Sequence, residues 1–179
     1  MRGDVDFEDS LRQRVALMKG LGTDQLETIR DSIVISDGAR DLIATLKRLG
    51  FKLGVLSGGF LYFAEHLKNE LGLDFAFANR LNIKAGALTG RVEGEVIDDA
   101  MKAKLLNRVS KEMGVLLDQT VAIGDGANDR LMLGQAGLGI AYNAHEDLQR
   151  AASVNLGRTR LMNILYILGI NEDDISSAT

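Results

Sequence analysis

A chain of 179 residues with 46% hydrophobic and 26% charged side chains has one domain's length and enough apolar material for a sizeable core, which excludes a disordered chain. A net charge of −4 with no basic run argues against nucleic-acid binding, and the apolar stretches fall far short of the ~20 residues that cross a bilayer. With no cysteine and 2 histidines there is no disulfide framework or Cys-ligated metal, which points to a cytoplasmic location; proline is absent where about nine residues would be average.

Up to residue 35 the pattern is helical, with Leu11, Val15 and Met18 on one face and Leu26, Ile29 and Ile33 on another. Gly20-Leu21-Gly22-Thr23 breaks it into two helices, and Thr23 is placed to cap the second. A third helix over 39–49 ends at Gly50, and a buried strand over 51–56 stops at Ser57-Gly58-Gly59. Helix near 61–71, strand near 75–78, helix near 100–113, strand 120–123, helix from Asn128 and strand 138–141 follow in turn. Such alternation predicts α/β architecture, a doubly wound, Rossmann-like parallel sheet flanked by helices. Leu81-Asn82-Ile83 and Leu88-Thr89-Gly90-Arg91-Val92, around Lys84-Ala85-Gly86, predict a β-hairpin inserted in the series. A last strand near 154–156 and a helix over 159–168, with Leu161, Ile164, Leu165 and Leu168 facing a core, precede an acidic tail from Asn171 that is expected to fray.

In a parallel α/β sheet, ligands bind beyond the carboxyl ends of the strands. After Gly54-Val55-Leu56 stands Ser57-Gly58-Gly59, a hydroxyl and two glycines that let backbone amides approach an anion. After Val121-Ala122-Ile123 stands Gly124-Asp125-Gly126-Ala127-Asn128-Asp129. Its first acid, at a strand tip, suits a hard cation such as Mg²⁺; its second suits a helix cap or the orientation of a neighbour. Taken singly each has an ordinary reading: a strand–helix connector, plain turn chemistry, and in Lys102 a solvated helix lysine. Together they make a phosphate site: hydroxyl and amides, a cation, and a carboxylate for a metal that bridges to phosphate oxygen.

Leu56-Ser57-Gly58-Gly59-Phe60, Phe77-Ala78-Asn79-Arg80-Leu81, Leu88-Thr89-Gly90, Lys102-Ala103 and Gly124–Asp129, in this order and spacing, resemble the phosphoserine phosphatases of the haloacid dehalogenase superfamily. The resemblance runs from Met1 to about Gly169. It implies Mg²⁺-dependent hydrolysis of O-phospho-L-serine to serine and phosphate, the last step of serine biosynthesis. It also implies that Ser57, with Gly58, and Lys102 hold the phosphoryl group, that Asp125 ligates the metal, and that Asn128 and Asp129 complete the site. Residues 1–35 resemble part of a helical cap, with Met1, Phe7 and Arg14 on the substrate; a guanidinium such as that of Arg14 can grip a carboxylate in a bidentate fork.

The chemistry needs an aspartate nucleophile and, two residues on, an acid for the leaving alkoxide. The resemblance puts this Asp-x-Asp on a first strand upstream of the cap, so residues 36–170 are expected to be a core without that strand. Asp4-Val5-Asp6 is the one Asp-x-Asp present, no apolar strand precedes it, and it falls in the cap stretch. The expectations are therefore a chain truncated at its N-terminus, no turnover by these residues, and unpaired sheet edges that favour homodimers or other association. Two other functions stay open: a non-catalytic phosphate- or partner-binding module, and a phosphatase for another small phosphomonoester. Proline is missing from two loops where relatives often carry it, Ser36-Asp37-Gly38 and Asn143-Ala144-His145-Glu146.

Overall fold

A computed structural model describes residues 7–171. The elements in chain order are α1 (Phe7–Leu17), α2 (Thr23–Asp31), α3 (Ala39–Arg48), β1 (Gly54–Phe60), α4 (Leu61–Leu71), β2 (Phe75–Lys84), β3 (Ala87–Glu93) and α5 (Asp99–Glu112). They continue with β4 (Val121–Gly124), α6 (Arg130–Gln135), β5 (Leu138–Tyr142), α7 (Glu146–Ala151), β6 (Val154–Leu156) and α8 (Ile164–Ile167). The fold is α/β with parallel strands, as the alternation predicts. Its ladders form two three-stranded sheets, β1-β2-β3 and β4-β5-β6. Pairing is parallel except between β2 and β3.

Three apolar clusters hold the described elements together. Leu42 and Leu46 of α3, Ile140 of β5, and Ile164 and Leu165 of α8 are buried together, with Leu53, Val121 and Leu138 packed against them. On the other side Ala122, Met132, Leu133, Ala141 and Leu148 form a second cluster, to which β1 contributes Leu56. A third cluster joins Leu11 and Val15 of α1, one turn apart, to Val96, with Phe7, Phe60, Leu81 and Val92 around them. The helical N-terminal region is stitched to the hairpin by backbone bonds: Gly20 N–H to Leu88 O, Leu88 N–H to Leu21 O, and Thr23 N–H to Gly86 O.

That last bond explains one departure from the sequence reading. Gly22 is the N-cap, and Thr23, its amide held by the hairpin, is already the first helical residue. Ile29, expected on a buried face, is 49% exposed, while Leu26 is buried. The strand near 75–78 and the first hairpin arm are one ten-residue strand, β2, parallel to β1 at its start and antiparallel to β3 at its end. Ala85 and Gly86, both at positive φ, make the hairpin's two-residue turn. β1 starts at Gly54, because Asp74 accepts the Leu53 amide and its own amide donates to the Leu53 carbonyl. The last helix starts late, since residue 161 is tied to the Asp37 carbonyl and Thr159 accepts the Tyr142 hydroxyl.

Candidate active site

β1 pairs in register with β2 from Gly54↔Phe75 to Leu56↔Phe77, then slips before Phe60↔Asn79. Ser57, Gly58 and Gly59 thus stand opposite Ala78 alone and bulge out of the ladder, which re-aims their backbone groups. Ser57 Oγ accepts the Gly59 amide at 3.0 Å, leaving the hydroxyl proton for another acceptor. A Cβ on Gly58 would sit 2.9 Å from the Phe7 ring and 3.2 Å from the Asn128 amide nitrogen, so glycine here is a condition of close packing. The sequence reading stopped the strand at Ser57; the structure carries it through the bulge to Phe60.

Lys102 is delivered by α5, whose N-cap Asp98 accepts the Met101 amide at 2.7 Å. As a plain helix lysine it would be solvated, yet it is 4% exposed, and its Nζ donates to Asp129 Oδ1 at 2.7 Å. Asp129 is 5% exposed and sits at the N-cap position of α6 without a side-chain bond to that helix; its Oδ2 instead accepts the amides of Asp125 at 3.2 Å and Gly126 at 3.1 Å. Folding the loop back on Asp129 leaves the Asp125 carboxylate exposed at the tip of β4, with no partner among the described residues. Gly124 makes room, because a Cβ there would lie 2.6 Å from Asp129 Oδ2.

The structure brings Ser57, Gly58, Asn128, Asp129, Lys102 and Phe7 into one neighbourhood, with Asp125 at its rim. Arg14 lies two turns along α1 from Phe7, exposed, with Nε donating to the Ser10 carbonyl at 3.2 Å. It forms no ion pair among the described residues. Met1, Asp4 and Asp6 lie outside the described residues.

Sequence reasoning missed Asn79, quoted only inside a motif. It is 1% exposed, its Nδ2 donates to the Gly58 carbonyl at 2.9 Å, and its Oδ1 accepts the Ile97 amide at 2.8 Å. The available signal was a polar side chain directly after the apolar run Phe75-Ala76-Phe77-Ala78.

This arrangement can hold an anion: a hydroxyl whose proton is free, at a strand bulge, and an ammonium with one carboxylate partner. For a hard cation the donor set is the Asp125 carboxylate, since both Asp129 oxygens are already bonded. That fits an ion that keeps waters and takes phosphate oxygens. Among the described residues no group of three or more His, Asp or Glu is arranged to hold a metal. A cleft of about 530 Å³, lined by Arg30, Tyr62, His66, Arg80 and Glu93 among others, includes none of these residues. The convergence of buried polar groups marks the site better than the size of a hollow.

A family model described as haloacid dehalogenase-like hydrolase matches residues 1–137. The chain belongs to the haloacid dehalogenase-like hydrolases and, within them, to the phosphoserine phosphatase family. It is 51% identical over 178 residues to a phosphoserine phosphatase of Streptomyces coelicolor, covering 99% of this chain and 43% of that protein. It is 44% identical over 165 residues to one of Methanocaldococcus jannaschii, covering 92% of this chain and 78% of that protein. The solved structure of a substrate-bound phosphoserine phosphatase complex superposes with a TM-score of 0.87 at 43% identity, covering 93% of this chain and 80% of that one. The chain spans less than half the length of several curated relatives it matches, the Streptomyces protein among them.

Proposed function

We propose that this chain is the phosphate- and substrate-gripping region of a Mg²⁺-dependent phosphoserine phosphatase, which hydrolyses O-phospho-L-serine to L-serine and inorganic phosphate in serine biosynthesis. The observation that carries the reading is the buried Lys102–Asp129 pair, whose neighbour Asn128 packs on Gly58 of the bulge. A buried ammonium with donors to spare, beside a hydroxyl and amides, suits a phosphate dianion. The Ser57 O–H, the Gly58 amide and Lys102 bind the phosphoryl oxygens; Asp125 holds Mg²⁺, which when bound neutralises phosphate charge. Arg14 takes the substrate carboxylate, while Phe7 and Met1 pack on the substrate and Asn128 and Asp129 keep the grip in place. The identity to phosphoserine phosphatases across nearly the whole chain supports the substrate choice.

We further propose that these 179 residues alone do not turn over phosphoserine. Attack on phosphorus needs a carboxylate facing the grip, and Ser57, Lys102, Asp125 and Asp129 bind and orient without replacing it. The test is paired. Calorimetry with inorganic phosphate and with phosphoserine should show binding that Lys102→Ala and Ser57→Ala weaken, and no binding at all would overturn the grip. Assayed with Mg²⁺, the same protein should release no phosphate from phosphoserine; steady release would overturn the inactivity.

A second reading, a non-catalytic phosphate-binding module, is favoured by the commitment of both Asp129 oxygens to Lys102 and the loop amides. An in-frame upstream segment ending in Asp-x-Asp that restores turnover would eliminate it, and a panel of small phosphomonoesters would then fix the substrate. Among the described residues no helix is long and apolar enough to cross a membrane. A cytoplasmic location and association through the free edges of β1 and β4 belong to the same proposal.

A further inference from the structure

We infer that Asn79 is a positioning residue of the phosphate grip: one buried amide fixes the Gly58–Gly59 peptide and the entry to α5 relative to each other, so that Ser57 and Lys102 face the same anion. The inference rests on the phosphate-site reading above.

The geometry runs through a peptide plane. In a trans peptide the C=O and the following N–H point in opposite directions. With the Gly58 carbonyl held by Asn79 Nδ2 at 2.9 Å, the Gly59 N–H is directed the other way, where Ser57 Oγ accepts it at 3.0 Å. That bond occupies an acceptor site of the hydroxyl and leaves its proton as a donor. On its other side Asn79 Oδ1 accepts the Ile97 amide at 2.8 Å. Ile97 directly precedes Asp98, the N-cap of α5, and Lys102 is one turn further. Between Leu56 and Phe60 the β1–β2 register is broken, so regular pairing does not set this orientation.

Other side chains do not do this. Aspartate offers acceptors to the Gly58 carbonyl where a donor is required, and an aliphatic residue leaves a buried C=O and a buried N–H unpaired. Asparagine supplies one donor and one acceptor at the right separation, and both are used.

The test follows the ¹⁵N-labelled 179-residue chain by NMR during titration with inorganic phosphate, alongside Asn79→Asp and Asn79→Ser. In the wild type, phosphate should shift the Gly58 and Gly59 amide signals. In the variants those signals should start displaced, and the phosphate affinity they report should fall about tenfold. Signals of the distant core residues Ile140, Ile164 and Leu165 should stay in place, which a general loosening of the fold would not allow. Folded variants that bind within twofold of wild type overturn the inference and leave the phosphate site standing. If Asn79→Asp does not fold, Asn79→Ser decides; if neither folds, Asn79 serves folding alone and the inference is overturned. A wild type that binds no phosphate overturns the site reading itself, and the inference with it.

Discussion

Asp129 spends both carboxylate oxygens inside the chain, one on Lys102 and one on the amides of Asp125 and Gly126. Asp125, four residues earlier, is left to face solvent. The pattern of two acids after an apolar strand was legible in the sequence; their division of labour was not, because it depends on a lysine 27 positions away. Removing that lysine strands a buried charge, so Lys102→Met should cost about 3 kcal/mol, read from urea unfolding, and should abolish phosphate binding. Gly124→Ala drives a methyl against the Asp129 carboxylate and should cost about 1–3 kcal/mol by the same measurement. Asn79 escaped the sequence reading for a related reason: its two partners, Gly58 and Ile97, are backbone groups 21 and 18 residues away, and no local pattern announces them.

At the level of elements, the start of β1 is held by Asp74, next to the first residue of β2. Burial raises its carboxyl pKa, but the Leu53 amide and the Lys47 ammonium, with Lys52 nearby, outweigh that and hold it below the ordinary 3.8. A group depressed in the folded state contributes stability that is full above its unfolded pKa and is lost as pH falls through the folded one. Asp74→Asn should therefore lose about 1 kcal/mol at neutral pH, and the gap to wild type in urea unfolding should close as pH drops below 3.8. The missing prolines also acquire structural meaning at this scale. Glu146 is the first residue of α7, and its neighbour His145 is extended with φ −70° and ψ 157°, the conformation a following proline requires. Glu146→Pro should raise stability by about 0.5–1 kcal/mol, seen as a higher Tm. Asp37 is a poorer site, because its carboxylate accepts from Arg160.

Over the whole molecule the division into two sheets is the dominant fact. Among the described residues β1 pairs only with β2, and β4 only with β5, although both carry candidate site residues and meet in one apolar cluster through Leu56 and Ala122. Ile123 of β4 is 37% exposed, although it lies within an apolar strand. Free parallel edges with apolar side chains beside them are templates for pairing. The isolated chain should accordingly self-associate, with a sedimentation coefficient and a Tm that rise with concentration. Ile123→Lys should reduce association with little loss of monomer stability. A monomer whose sharp melt is independent of concentration would contradict this.

The sequence by itself determined the class of fold and supplied most of the candidate site residues. Periods of 3.6 and 2 dictate which segments are helix and strand, and polar groups directly after apolar strands mark where a ligand binds. The positions of Ser57, Lys102, Asp125, Asn128 and Asp129 follow from that logic and the resemblance it supports. Only the tertiary structure decided which acid is committed and which is exposed, that Lys102 is buried, that β1 continues through a bulge, and that Asn79 joins two segments. Those outcomes depend on the demand that every buried polar group find a partner, and the partners are distant in sequence.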